Sequence, residues 1–470
     1  MKRRLLSLWV VGSVIAVSVA SGQGTDTLRL TLGEAVARAL AMSDEVSLAL
    51  SQISVLEAQF VQARAAALPG VTLRGGYTQV TKNARAAIVS SLFGQSYTYT
   101  ASVNISQPVF QGGRLLASVR GASDLLDASR ATLAETKARL SVQAQRLYLS
   151  AVLARQLEEI QVRNAELADQ RVAQVEQLEK AGRASRYDLL KARVTRANLE
   201  PGLLQARSDR EIAQIELRQF LNIPSDLPLL LVSEIDTTVL RSVVRQIVAD
   251  SGSARWPRPL LRAAELTLEA RREALRAARA DFLPTISVFF NTGYTALPST
   301  SRFPTVWGRT SAEACPPGTP EGRVCQNNGW YPDRSYGLQL SWSLFDGLRA
   351  KGALDLARAN ERIARLQLEQ VREQVVTEVA RALSEFGRAE ATFEARRQNV
   401  DEAEEAYRIA WLRFERGLGT QLEVTDAQLA LFTARVNAAR AVVDYYLAAA
   451  ELARARGQNV PLPPLRPLSR

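Results

Sequence analysis

Twice in this chain some seventy residues pass without a proline while an apolar residue returns every seventh position, and that pattern leaves few folds open. The runs extend from Gly112 to Gly182 and from Gly347 to Gly417. At about 1.5 Å per residue, a continuous helix of that length reaches roughly 105 Å. Val379, Phe386, Phe393, Val400, Tyr407 and Phe414 mark the seam of the second run, and Leu126, Leu133, Leu140 and Leu147 that of the first. A strict seven-residue repeat winds helices left-handedly around their neighbours. A coiled-coil rod would account for these runs but not for what precedes them.

Each run is entered from an alternating stretch. Tyr336, Leu338, Leu340, Trp342 and Leu344 alternate with Ser335, Gly337, Gln339, Ser341 and Ser343, and Tyr97, Tyr99, Ala101, Val103 and Ile105 alternate with small polar residues. Period two over ten residues is the signature of a strand that crosses a membrane in a barrel. The two stretches end alike, in Phe110-Gln-Gly-Gly-Arg114 and Phe345-Asp-Gly-Leu-Arg349. Each run also ends alike, in a glycine turn followed by acids: Gly182, Arg183 and Asp188 in one, Gly417, Leu418, Gly419, Glu423 and Asp426 in the other. Strand end, helix start and turn all repeat at one offset of 235 residues. The chain is an internal duplication, with a first copy over 25–235 and a second over 236–456.

The remaining segments fit around that plan. Met1 to Ala20 has the basic start, apolar core and small residues of a cleaved secretory signal, a membrane anchor being the alternative reading. Thr31 and Glu34 form a capping box for a helix through Leu40, and a second helix from about Asp44 to Ala67 stops at Leu68-Pro69. Val71, Leu73, Gly75 and Tyr77 make a first strand, matched in the second copy by Ile286, Val288 and Phe290 after Leu283-Pro284. A longer loop, 295–334, then carries Trp307, Trp330 and both cysteines, Cys315 and Cys325; in an oxidising compartment the pair is expected to form a disulfide. Returning helices are expected from Ser185 to about Phe220 and from Thr420 to about Arg456, and 457–470 reads as a flexible tail.

Composition excludes several function classes. The formal charge is +11, or +8 once Lys2, Arg3 and Arg4 leave with the signal. The arginines are spread over helix faces instead of clustered, and export takes the chain away from nucleic acid, so nucleic-acid binding is rejected. Histidine is absent altogether, which removes the commonest general base and metal ligand. With no nucleophile, phosphate-loop or dinucleotide fingerprint, the chain is read as neither an enzyme nor a holder of a cofactor or metal.

Two strands per copy give four per chain, and an open four-stranded sheet cannot sit in lipid, where every backbone group must be paired. The expected fold is therefore mainly α with a membrane β-barrel, shared among subunits and continuous with a helical coiled-coil cylinder. From Leu30 to Arg456 the chain resembles the TolC family of outer-membrane efflux ducts. The resemblance is carried by Leu32-Gly-Glu-Ala-Val-Ala-Arg-Ala-Leu40, the Leu-Pro pairs at Leu68 and Leu283, the two strand-to-helix motifs, and the glycine turns with Asp188 and Asp426. Ser43-Asp44 departs from it, standing where the family often has Asn-Pro. The resemblance implies a homotrimer with a twelve-stranded barrel in outer-membrane lipid and a periplasmic tunnel. It also implies an adaptor protein and an inner-membrane transporter of pump or ABC type, and the exit of either small molecules or secreted proteins. Asp188, Glu423 and Asp426 would ring the periplasmic gate, and Gly182, Arg183, Gly417, Leu418 and Gly419 would meet the adaptor. Tyr97, Tyr99, Tyr336 and Trp342 are read as a membrane aromatic belt. A secreted coiled-coil structural protein or adhesin is the reading from another class.

Overall fold

The computed structural model describes residues 28–81, 97–224, 227–234, 258–298, 301, 303–304, 307, 329–458 and 466–467. The signal segment, Cys315, Cys325 and most of the long loop lie outside the described residues. The chain divides into two compact units that cut across the duplication: Met1–Arg38, Leu147–Asp236 and Pro464–Arg470 in one, Ala39–Arg146 and Thr237–Pro463 in the other.

In the larger unit, helix α2 (Asp44–Ala65) leads into strand β2 (Gly70–Gln79), which turns back as β3 (Tyr97–Gln111) into α3 (Arg114–Lys180). Helix α6 (Pro259–Arg279), strands β6 (Thr285–Ala296) and β7 (Trp330–Ser341), and helix α7 (Arg349–Glu415) repeat the plan, and α8 (Gln421–Ala455) returns. The four strands form one antiparallel sheet in the order β2-β3-β6-β7, whose outer strands each present an unpaired edge. Its register puts Tyr77, Tyr99, Ala296 and Trp330 in one cross-strand row, and Val71, Ile105, Phe290 and Tyr336 in another. Because side chains alternate, these rows share a face, and Thr72, Asn104, Asn291 and Ser335 share the opposite, polar one. β7 begins at Trp330 and ends at Ser341, five residues before and three residues before the expected limits. Twelve pairs with β6 fix that length, and Trp342 leaves the ladder to donate its indole N–H to the carbonyl of Phe282 at 3.2 Å.

Each helix-entry glycine motif gives way to one unbroken helix of 67 residues. The first half of the second seam is buried, with Val379, Phe386 and Phe393 of α7 each at most 5% exposed, while Val400, Tyr407 and Phe414 are half-buried. Tyr445 of α8 packs between the two phenylalanines, with ring centroids 5.6 and 5.4 Å away. Full burial of such side chains stabilises by roughly 1.5–3 kcal/mol each. Burial also pushes the Tyr446 hydroxyl well above its usual range. Gly121 of α3 lets that helix approach α6, since a Cβ there would stand 3.3 Å from Glu273 Cβ.

The smaller unit holds β1 (Leu28–Leu30), helix α1 (Leu32–Met42) as far as Arg38, and strand β4 (Leu229–Leu231), which pairs parallel with β1. The Thr31 and Glu34 capping box forms as expected, with Thr31 N–H donating to Glu34 Oε2 at 2.9 Å. Tyr148 of α3 donates to the Leu30 carbonyl at 2.9 Å, and Arg155 to that of Leu231 at 2.9 Å. The first returning helix is two helices, α4 (Arg186–Ala197) and α5 (Glu200–Phe220). Pro201 explains the break, because its ring opposes the carbonyl of Ala197 four residues earlier and it has no N–H to donate. In the tail, Arg466–Pro467 (β8) pair with Ser233–Glu234 (β5), so part of the segment read as flexible belongs to a small sheet.

Candidate functional site

The two turns at the ends of the long helices are built alike. Gly182 and Gly417 adopt φ of +67° and +71°, the left-handed conformation that ends a helix at low cost only for glycine. Arg183 N–H reaches the Leu178 carbonyl at 2.8 Å and Leu418 N–H the Arg413 carbonyl at 2.7 Å, with Gly182 and Gly417 closing the inner bonds. These are Schellman caps at both turns. Beyond them, Ser185 and Thr420 cap α4 and α8, each accepting from the N–H three residues on. The offset match between Asp188 and Glu423 is thus a repeated capping position.

That placement separates the three acids expected at the gate. Asp188 closes a capping box, its Oδ2 accepting from Ser185 N at 3.1 Å and from Ser185 Oγ at 2.6 Å. Glu423 is held by Thr420 Oγ1 at 3.3 Å, with Arg413 Nε 3.9 Å away. Asp426 has no ion pair among the described residues and is exposed, one turn further along α8. It borders a groove of about 460 Å³ between α7 and α8, whose polar lining is Arg396, Asn399, Thr433 and Asn437. Arg435 closes on Glu404 across the same two helices at 2.7 Å. Asp188 and the pair Glu423 and Asp426 lie in different compact units.

Of the residues expected at a docking tip, Gly182, Arg183, Gly417 and Leu418 are exposed and Gly419 is half-buried. Beside them stand exposed apolar side chains that the glycine pattern did not reveal: Tyr187, Leu190 and Val194 at one turn, Leu422 and Leu429 at the other. Their helical spacing is the signal that would have found them. Of the aromatics, Tyr97 and Tyr99 lie at the loop end of the sheet, Tyr336 midway along its apolar face and Trp342 past its helix end. Tyr77, Tyr294, Phe303, Trp307 and Trp330 join Tyr99 at the loop end, with Tyr77 4.9 Å from Tyr99 and Tyr294 4.7 Å from Trp307.

A second polar cluster lies within the larger unit. Arg258, at the start of α6 and only 2% exposed, meets Glu135 of α3 at 3.0 Å and Glu378 of α7 at 2.6 Å. Arg454, near the end of α8, reaches the same two acids at 3.3 and 3.5 Å. Burial pulls the Glu378 carboxyl upward, but hydrogen bonds from Gln374 and Arg258 and the charges of Arg258 and Arg454 hold it below the usual range. Two long helices and the ends of two shorter ones are thereby tied at one point.

A sheet with one apolar and one polar face, each strand of which joins a helix at the same end, two of them helices of 67 residues, defines the class of outer-membrane channel proteins with a helical extension. The chain belongs to the outer membrane efflux protein family, whose sequence model matches residues 35–222 and 251–458. It is 25% identical over 288 residues to the solvent efflux pump outer membrane protein SrpC of Pseudomonas putida, covering 61% of this chain and 55% of that protein. The matched stretch therefore spans about half the length of that relative. It is 25% identical over 415 residues to protein CyaE of Bordetella pertussis, covering 86% of this chain and 79% of that protein. In fold it resembles the outer membrane protein VceC of Vibrio cholerae, with a TM-score of 0.72 at 19% identity over 91% of this chain and 96% of that one. Family membership places the chain in the outer membrane, among channel and transport proteins.

Proposed function

We propose that this chain is one protomer of a trimeric outer-membrane duct, the exit of a tripartite efflux system that expels small molecules such as drugs and toxins. The observation that carries this reading is the four-stranded sheet with two unpaired edges and one apolar face. Three copies pair edge to edge into a closed barrel of twelve strands, which leaves no backbone group unpaired in lipid. The polar face lines the lumen. The solvent-pump relative supports small molecules as cargo. An adaptor protein meets the turns at Arg183 and Leu418, using the exposed apolar side chains beside them, and links the duct to an inner-membrane transporter.

At the periplasmic entrance Asp426 carries the selectivity. Three copies gather negative charge where the passage is narrow and water scarce, favouring cations and opposing anions. Asp188 and Glu423 act mainly as helix caps, which the macrodipole also favours. The test is single-channel recording in planar bilayers: Asp426→Asn lowers the preference for cations over anions by about two-fold or more, while Glu423→Gln changes it little. Unchanged selectivity in Asp426→Asn removes the gate assignment. Photoreactive side chains at Arg183 and Leu418 in living cells should capture an adaptor; capture of none removes the docking assignment.

A further inference from the structure

One side chain on the apolar face of the sheet is out of place. Arg334 of β7 lies in the cross-strand row of Leu73, Val103 and Thr292, between the row of Tyr336 and that of Pro332. It is exposed, and no acid pairs with it among the described residues. Its neighbour Asp333 points to the opposite face because strand side chains alternate. Nearby on the apolar face, Phe290, Tyr294 and Thr292 offer no charge.

Depth makes this anomaly informative. All four strands join helices at one end, so the loop end is the outer one. Trp330 and Trp342 stand twelve positions apart, about 40 Å along the strand and about 28 Å in height at a tilt of roughly 45°. That interval matches an apolar band of about 25 Å bounded by aromatic girdles. Arg334 is four positions below Trp330, so about 9 Å beneath the outer girdle. An unpaired guanidinium at that depth is costly, and it snorkels toward the surface and takes an anionic partner. Above it, Tyr294 and Trp307 form an edge-on pair, Phe303 stands edge-on to Tyr99 at 5.4 Å and tilted against Trp330 at 5.7 Å, and Trp307 and Phe303 remain about two-thirds exposed. Trp330 donates to the Pro304 carbonyl at 2.9 Å, which holds this part of the loop against the sheet.

We propose that Arg334, beneath the shelf of Tyr294, Trp307 and Trp330, is a binding site for a phosphorylated, multiply acylated glycolipid of the outer leaflet. The planar guanidinium takes a headgroup phosphate through two parallel N–H donors. The aromatic rings lie against the sugar and the first methylenes of the acyl chains. Such a lipid rests at the outer end of an edge strand, beside the seam where a second copy of the chain completes the barrel, and it clamps that seam from outside. The site rests on the barrel reading of the sheet.

The experiment uses the full-length assembled channel in mild detergent, stripped of lipid and then offered a bis-phosphorylated hexa-acyl glucosamine disaccharide, its dephosphorylated form, or phosphatidylglycerol. Native mass spectrometry counts the lipids retained. The wild type is expected to keep the phosphorylated glycolipid in preference to the other two, and Arg334→Gln to weaken that retention about tenfold, the loss of a charge-assisted pair. Arg334→Lys restores part of it, and Asp333→Asn, on the other face, leaves it unchanged. Equal retention by Arg334→Gln and wild type overturns the proposal, as does retention of phosphatidylglycerol as strong as that of the glycolipid. Trp307→Ala, outside the ladder, weakens binding about threefold if Arg334→Gln does not assemble, and no change there also overturns it. Conduction by the Arg334→Gln channel in planar bilayers tests the barrel reading separately.

Discussion

Replacing Arg258 with methionine isolates what the buried charge cluster contributes. Arg258 is 2% exposed, whereas Glu135, Glu378 and Arg454 are 16%, 28% and 20% exposed. Removing one member of a fully buried pair costs about 3–5 kcal/mol. Here both acids keep Arg454 and some water, so the loss falls to about 2 kcal/mol. Assembled membrane channels unfold irreversibly, so the quantity to measure is a rate. If these contacts break before the transition state, about 2 kcal/mol speeds unfolding about 30-fold. The assay is the dissociation half-life of purified channel in hot detergent, with Glu57→Gln as the control. Glu57 pairs with Arg130 at 3.2 Å while both are about half exposed, so that change is expected to stay below about two-fold. Raising salt from about 0.05 to 0.5 M should leave the Arg258→Met effect in place, because a buried pair is little screened. The pH dependence has a definite sign. A carboxyl whose folded-state pKa is lowered stabilises above its unfolded value and loses that contribution as pH falls through the folded one. The gap between wild type and Arg258→Met should therefore close as pH drops below about 4.5, the ordinary value for Glu378. A change under about three-fold at pH 7, or one equal to that of Glu57→Gln, would refute the reasoning.

Two further predictions follow from the packing. A Cβ at Gly293 would stand 2.7 Å from Ser102 Cα and closer still to the Ala101 carbonyl, so Gly293→Ala should split β3 from β6 and abolish heat-resistant oligomers on gels. Asp124 on α3 is pushed upward by burial first and then by Glu273, Glu269 and Asp127, with Arg262 opposing. A raised folded-state value means that the carboxylate form destabilises once pH climbs through it. Asp124→Asn should therefore lengthen the dissociation half-life at pH 7 and have no effect below about pH 3.8, where the acid is protonated in both states.

The plan of the fold was legible because periodicity and punctuation agreed. Seventy proline-free positions between glycines became helices of 67 residues, and the alternating stretches became strands. Pro201 stands inside the helix expected from Ser185 to about Phe220, and a proline in a helix interior is itself the local signal for the break the structure shows there. The charge cluster carried no local signal: Glu135 and Arg454 are 319 residues apart and meet only through packing. Asp188 and Glu423 each follow a Ser or Thr by three residues, the spacing of a helix cap, and the structure forms both caps. Arg334 escaped because the expected strand began one residue after it.

The unpaired edges of β2 and β7 bear on how fast this protein can mature. A lone chain leaves two sheet edges without partners, and in the proposed trimer only other copies complete them, so stability would depend on how much of the protein is present. If three chains must meet in one slow step, halving the supply of the chain slows assembly about eightfold. Until then each chain offers its edges to any other strand it meets. Cells that make little of this protein should therefore accumulate incomplete chains out of proportion to the shortfall, and it is these that envelope proteases would clear.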